Sequence, residues 1–309
     1  MERKRRQKLE GNFPIFPTPF DNYGDIDYHS MDRLIEFLLW GKVDGITILA
    51  NASEGFALSD YEKDRITSKV LEAVNGRVPV VVTVNHYSTR IAIEKARRAQ
   101  QEGATAVMAM PPFFGTRAAD LKGIYEFYCQ VGESIEIPLI VQDDPVLSGV
   151  QLTPEYLSKM VRETPNLEYI KVESPQSPYK ISMIKEAVGA DVSIFGGMGG
   201  ITFLEELERG ACGTMSSAAL LELGTIYRLY RQGEYSQARS LFYKVLPFIV
   251  FEIHLAPRNI TKEVLWRAGI IASPAVRHPG PASYDDQTRA QLRRLLQDLG
   301  LRVFNFSSN

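Results

Sequence analysis

The sequence predicts an α/β fold, a (β/α)8 TIM barrel with a C-terminal helical extension, and three observations carry that prediction. From residue 13 to residue 216, eight short apolar, β-branched runs alternate with patterns of helical period. No GxGxxG turn follows the first run and no topological switch point stands out, which disfavours a doubly wound open sheet. After Leu220 the strand-like runs cease, and helical patterns marked by Pro247, Pro257, Pro274 and the Pro279-Gly280-Pro281 turn continue to the end. The expected organisation is a flexible basic tail over residues 1–12, a barrel over 13–224 and a helical region over 225–309.

Phe13 to Phe16 is the first expected strand, and Asp27 to Lys42 a helix with Met31, Leu34, Ile35, Leu38 and Leu39 on one face. Gly45 to Ala50 is the second strand. Ser59, with Glu62 three residues on, forms a capping box for a helix through Val74. Strands at Val78–Asn85 and Ala104–Met110 bracket a helix at Ser88–Gln101, and Pro111-Pro112 closes the second of them. A helix at Ala118–Gly132 and a strand at Pro138–Gln142 follow, with Thr153-Pro154 in the favoured cap and first-turn order for the next helix. The sixth strand lies within residues 166–174. A helix at Tyr179–Val188, a strand at Val192–Phe195, a helix at Ile201–Arg209 and a strand at Gly213–Ser216 complete the set.

A chain of 309 residues that is 45% apolar can bury a substantial core. Its formal charge of −2 gives no reason to expect nucleic acid or a membrane surface as partner. Cys129 and Cys212 are too few for a disulfide framework and read as buried small hydrophobes in a cytoplasmic protein. The four histidines, His29, His86, His254 and His278, lack metal-ligand spacing, so no metal is expected.

In such barrels the chemistry gathers at the C-terminal ends of the strands. The sixth is unusual: Tyr169, Lys171 and Glu173 share one face, while Ile170 and Val172 share the other. A lysine enclosed by apolar neighbours is poorly hydrated, which disfavours the ammonium form and favours an amine able to attack a ketone. The competing reading of Lys171 is a structural ion pair with Glu173, or an amphipathic side chain reaching for solvent.

Pro17-Thr18-Pro19-Phe20, Gly24-Asp25-Ile26-Asp27, Pro111-Pro112-Phe113-Phe114 and Gly210-Ala211-Cys212-Gly213-Thr214-Met215-Ser216 occur in this order along the chain. They resemble signatures of the dihydrodipicolinate synthase and N-acetylneuraminate lyase family of Schiff-base lyases and aldolases, over roughly residues 13 to 300. The resemblance implies the barrel with its helical extension, a 2-oxo acid part in every substrate and a homotetramer. Lys171 falls where the family's Schiff-base lysine lies, so the covalent adduct takes the place of a cofactor.

The departures from the family pattern are informative. Gly-Thr-Thr-Gly-Glu is here Ala50-Asn51-Ala52-Ser53-Glu54, whose amides can still cradle a substrate carboxylate. Asn51, Phe114 and Gln142 stand where the family's synthases carry a hydroxyl relay, and Leu147 where they carry a carboxylate-binding arginine. Asn51, Ala52, Ser53 and Phe114 are the expected substrate-binding residues. Lys171, Glu173 and Gln142 are the expected catalytic ones, with Glu173 replacing the lost relay and Gln142 orienting a substrate hydroxyl. For Glu173 a helix-side or solvent-facing place at the strand's end stays open, and Asp143 and Asp144 read as one loop-forming and one amide-bound. Within the family this pattern resembles the 2-keto-3-deoxy-L-arabonate dehydratases. A retro-aldolase, a hydroxypyrroline-carboxylate deaminase and a non-catalytic 2-oxo acid sensor are the alternatives.

Overall fold

The strands of the computed structural model, which describes residues 8–112, 120–255, 260–280 and 285–307, are β1 Gly11–Asn12, β2 Ile46–Ile48, β3 Val80–Thr83, β4 Ala106–Ala109, β5 Leu139–Asp143, β6 Leu167–Val172, β7 Ser193–Gly196 and β8 Gly213–Thr214. All neighbours pair in parallel, in the order β1-β8-β7-β6-β5-β4-β3-β2. The segment after β1 closes the ring: Ile15 bridges Thr47, the Phe16 N–H donates to the Thr47 carbonyl at 2.8 Å, and the Thr47 N–H to that of Pro14 at 3.0 Å. These are the eight parallel strands of a (β/α)8 barrel.

The predicted first strand, Phe13 to Phe16, does bond β8, through the N–H groups of Phe13 and Ile15 at 2.9 Å each. Pro14 has no N–H to give, so the regular ladder lies earlier, at Gly11–Asn12. Residues 9–12 are therefore not a flexible tail. Leu9 is buried with its N–H on the Tyr169 hydroxyl at 2.9 Å, because the barrel's apolar interior needs a floor.

Period-2 alternation divides the strand residues into two layers. Phe13, Val81, Met108, Ile140, Tyr169, Phe195 and Met215 pack inside the barrel. Val80, Val82, Val107, Val141, Ile170, Val172 and Ile194 pack outward against helices. The helices are α1 Tyr28–Trp40, α2 Asp60–Val74, α3 Thr89–Gln101, α4 Leu121–Glu133, α5 Pro145–Ser148, α6 Pro154–Glu163, α7 Ser177–Val188 and α8 Phe203–Glu208, then α9 Glu222–Arg231, α10 Tyr235–Val250, α11 Ile260–Arg267 and α12 Asp286–Leu299.

The expected capping box forms on α2, and Thr153 accepts the Tyr156 N–H at the head of α6. Pro247 does not end its helix but sits inside α10, whose end passes into a π-turn at Phe251–Leu255. Cys129 and Cys212 are half-buried free thiols, because the expected enclosure is incomplete at both. Among the described residues no helix is long and apolar enough to cross a membrane.

Candidate active site

Lys171 lies on the inner face of β6, 2% exposed, one inward position beyond Tyr169. Its register partner on β5 is Gln142, and the Glu173 N–H continues the ladder to the Asp143 carbonyl at 2.9 Å. Parallel pairing thus places three polar side chains from two strand ends together. Lys171 Nζ lies 3.1 Å from Glu173 Oε2, and Gln142 Nε2 donates to that same oxygen at 2.5 Å. The other oxygen, Oε1, accepts the Met198 N–H at 3.3 Å from the turn after β7. Gly197 makes room for this arrangement, since a Cβ there would lie 2.1 Å from Glu173 Cγ. The ion pair of the competing reading of Lys171 is present, and Glu173 is neither helix-side nor solvent-facing, because the turn after β7 encloses its carboxylate. Gln142 Oε1 is buried with no partner among the described residues, which leaves an acceptor for a hydroxyl.

Further carboxyls surround this pair. Asp144 caps α5, accepting the Leu147 N–H at 3.0 Å, and burial followed by the charge of Glu173 pushes it up to about 6. Asp143 pairs with Lys180 at 2.7 Å, and burial raises its carboxyl despite that cation. The amide-bound aspartate of the sequence reading is therefore Asp144, whereas Asp143 forms a buried ion pair rather than a loop contact, because α7 brings Lys180 against the end of β5.

The turn after β2 lies at the same end of the barrel. Asn51–Ser53 is a single 3-10 turn, in which Asn51 Nδ2 lies 3.4 Å from Met110 Sδ and Ser53 Oγ is buried without a partner among the described residues. Thr18 Oγ1 donates to the Ser53 carbonyl at 2.6 Å. Ala52 is half-buried between them. Phe114 lies outside the described residues. A cavity of about 320 Å3 touches the site at Asn51 but opens between α2 and α3, and Lys171, Glu173 and Gln142 do not line it.

Sequence reasoning missed one buried cluster. Lys262 on α11 is fully buried and paired with Glu54, and burial lowers its ammonium to about 8 against the opposing pull of that carboxylate. Flanked in sequence by Thr261 and Glu263, Lys262 carries no local signal of burial, and nothing in the sequence pairs it with a residue 208 positions away. Among the described residues no group of three His, Cys, Asp or Glu side chains converges as metal ligands.

The dihydrodipicolinate synthetase family model matches residues 8–299. The chain belongs to this family. Within the dihydrodipicolinate synthetase family it is 38% identical to an L-2-keto-3-deoxyarabonate dehydratase of Azospirillum brasilense over 300 residues, 96% of each chain. It is 28% identical to a 4-hydroxy-tetrahydrodipicolinate synthase of Methanopyrus kandleri, covering 95% of this chain and 97% of that one. Among solved structures, the dihydrodipicolinate synthase of Rhodopseudomonas palustris superposes with a TM-score of 0.87 at 29% identity, covering 94% of this chain and 97% of that one. As a member of this family the chain is an enzyme, a lyase of the Schiff-base-forming type.

Proposed function

We propose that the enzyme dehydrates a 2-keto-3-deoxy sugar acid, 2-keto-3-deoxy-L-arabonate, to 2-oxoglutarate semialdehyde through a Schiff base on Lys171. The observation that carries this reading is the single Glu173 oxygen shared by Lys171 at 3.1 Å and Gln142 at 2.5 Å. A carboxylate in hydrogen-bond reach of the amine is placed to move protons to and from an adduct formed there. The family relative named as an L-2-keto-3-deoxyarabonate dehydratase supports the choice of substrate.

The Lys171 amine attacks the C2 ketone, and loss of water gives an iminium that acidifies the C3 protons. Glu173 takes one of them to form the enamine. The enamine expels the C4 hydroxyl, which leaves as water with a proton from the same carboxyl. Tautomerisation and hydrolysis then release the semialdehyde and restore the amine. Gln142 holds the Glu173 carboxylate with its amide and offers Oε1 to a substrate hydroxyl. The Asn51 and Ala52 amides and the Ser53 hydroxyl receive the substrate carboxylate, the Ser53 N–H being held by the Ala50 carbonyl at 3.0 Å, with Phe114 as a further binding residue. A cytoplasmic homotetramer belongs to the same proposal, and sedimentation analysis of the purified chain tests its assembly.

The deciding experiment follows the products of 2-keto-3-deoxy-L-arabonate by NMR, with the wild type, Lys171→Ala and Glu173→Gln. Semialdehyde is expected from the wild type and none from Lys171→Ala. Glu173→Gln is expected to lose about 10²–10⁴-fold in turnover while a reductant still traps its adduct. Pyruvate as product would instead establish the retro-aldolase, ammonia release from a pyrroline substrate the deaminase, and failure of borohydride plus substrate to add mass at Lys171 would favour the sensor.

A further inference from the structure

Leu49 and Glu54 flank the Asn51–Ser53 turn with φ of 61° and 57°, the left-handed region that L side chains disfavour. Each costs of order 1–2 kcal/mol, so the turn persists only where its surroundings enforce it. Gly55 lets the turn close tightly, since a Cβ there would lie 2.2 Å from the Leu49 carbonyl oxygen.

The enforcing contacts come from the far end of the chain. The Glu54 carboxylate, 4% exposed, pairs through Oε1 with Lys262 Nζ and accepts the Arg277 backbone N–H on Oε2 at 2.9 Å. Lys262 Nζ also donates to the Ala275 carbonyl at 2.9 Å and lies 4.3 Å from the centre of the Phe20 ring. Arg277 Cζ lies 4.6 Å from the centre of that ring, and its guanidinium binds Glu62 on α2 at 2.7 and 2.9 Å. The C-terminal extension thus grips the turn through one carboxylate. Desolvation offsets much of the attraction in a buried ion pair, so this pair is better suited to fixing a conformation than to adding stability.

We propose that Lys262 is a positioning residue whose ammonium, acting through Glu54, holds the strained Asn51–Ser53 turn in the shape that receives the substrate's carboxylate. This rests on the assignment of that turn to carboxylate binding. Because the lysine acts on the turn and not on the reacting carbons, its loss weakens ligands that carry a carboxylate and spares those that do not.

Adduct formation at Lys171, read as mass added under cyanoborohydride across a concentration series, separates the two effects. The probes are pyruvate and methyl pyruvate, which share the ketone but differ in carboxylate charge. Glu54→Gln/Lys262→Met replaces the ion pair by a neutral pair of similar size, a change that buried pairs often tolerate. Lys262→Gln, which keeps a donor toward Glu54, is the second variant, and near-UV circular dichroism establishes that each is folded. Half-maximal trapping is expected to need at least about tenfold more pyruvate in a folded variant, or about 1.4 kcal/mol, with the methyl pyruvate curve within about twofold of wild type. Unchanged pyruvate curves, or equal shifts with both probes, would overturn the positioning role alone. A wild type that adds neither probe would overturn the Schiff-base assignment and this inference with it.

Discussion

Glu206 offers a direct test of the electrostatics beneath the site. It is fully buried on α8, where Oε1 accepts hydrogen bonds from the hydroxyls of Ser177 at 2.5 Å and Thr202 at 3.0 Å, while Oε2 has no partner among the described residues. Burial pushes this carboxyl up to about 7, with a smaller push from the charges of Glu205 and Glu173, and the two hydroxyl donors only partly oppose it. A carboxyl raised in the folded state above its unfolded value of 4.5 contributes stability that is complete below pH 4.5 and is lost as pH rises through 7. Between pH ~5.5 and ~8 the loss is about 2 kcal/mol.

Glu206→Gln is uncharged at every pH and lacks this dependence. Urea unfolding of both proteins at the two pH values, at fixed protomer concentration, gives the comparison. The wild type is expected to lose about 2 kcal/mol more than the variant between them. The other raised carboxyls, Asp44, Asp143, Asp144 and Glu252 among them, are common to both proteins and largely cancel. Parallel pH dependences would refute the buried-acid reasoning.

Two further outcomes follow from the geometry. Gly197→Ala introduces a Cβ that would lie 2.1 Å from Glu173 Cγ, so the carboxylate is displaced from its present contacts. Turnover is expected to fall at least about tenfold with adduct trapping at Lys171 retained, and wild-type turnover would show that the Glu173 position does not matter. Lys180→Met leaves Asp143 buried without its cation, which costs about 3–5 kcal/mol at pH ~8. The cost shrinks toward pH ~5 as the Asp143 carboxyl, already raised by burial, takes up a proton. Urea midpoints at the two pH values read it, and a pH-independent cost would contradict it.

Much of the molecule was legible in local sequence. The alternation of β-branched runs with capped helices was enough for the barrel, and period-2 geometry placed Tyr169 inside and Ile170 and Val172 outside. The same period put Lys171 and Glu173 on one face, and the 3.1 Å contact between them follows from it. Less legible was the start of the chain, where the missing N–H of Pro14 shifted the regular ladder to Gly11–Asn12 and where Leu9 closes the barrel floor. Asp143 was misread because its partner Lys180 arrives from α7, the third helix after β5, which no local pattern announces.

Strand period, helix caps and the order of strand ends are short-range properties, so the sequence by itself determined the fold class, the inward lysine of β6 and the glutamate beside it. Tertiary structure alone decided which groups share an oxygen and which loop is held in strain. The Gln142–Glu173 contact depends on parallel register between two strands, and the Lys262–Glu54 pair on docking of the C-terminal extension against the β2 turn. Such partners are chosen by packing in space, and the chemistry of the site lies as much in them as in the strand that carries the lysine.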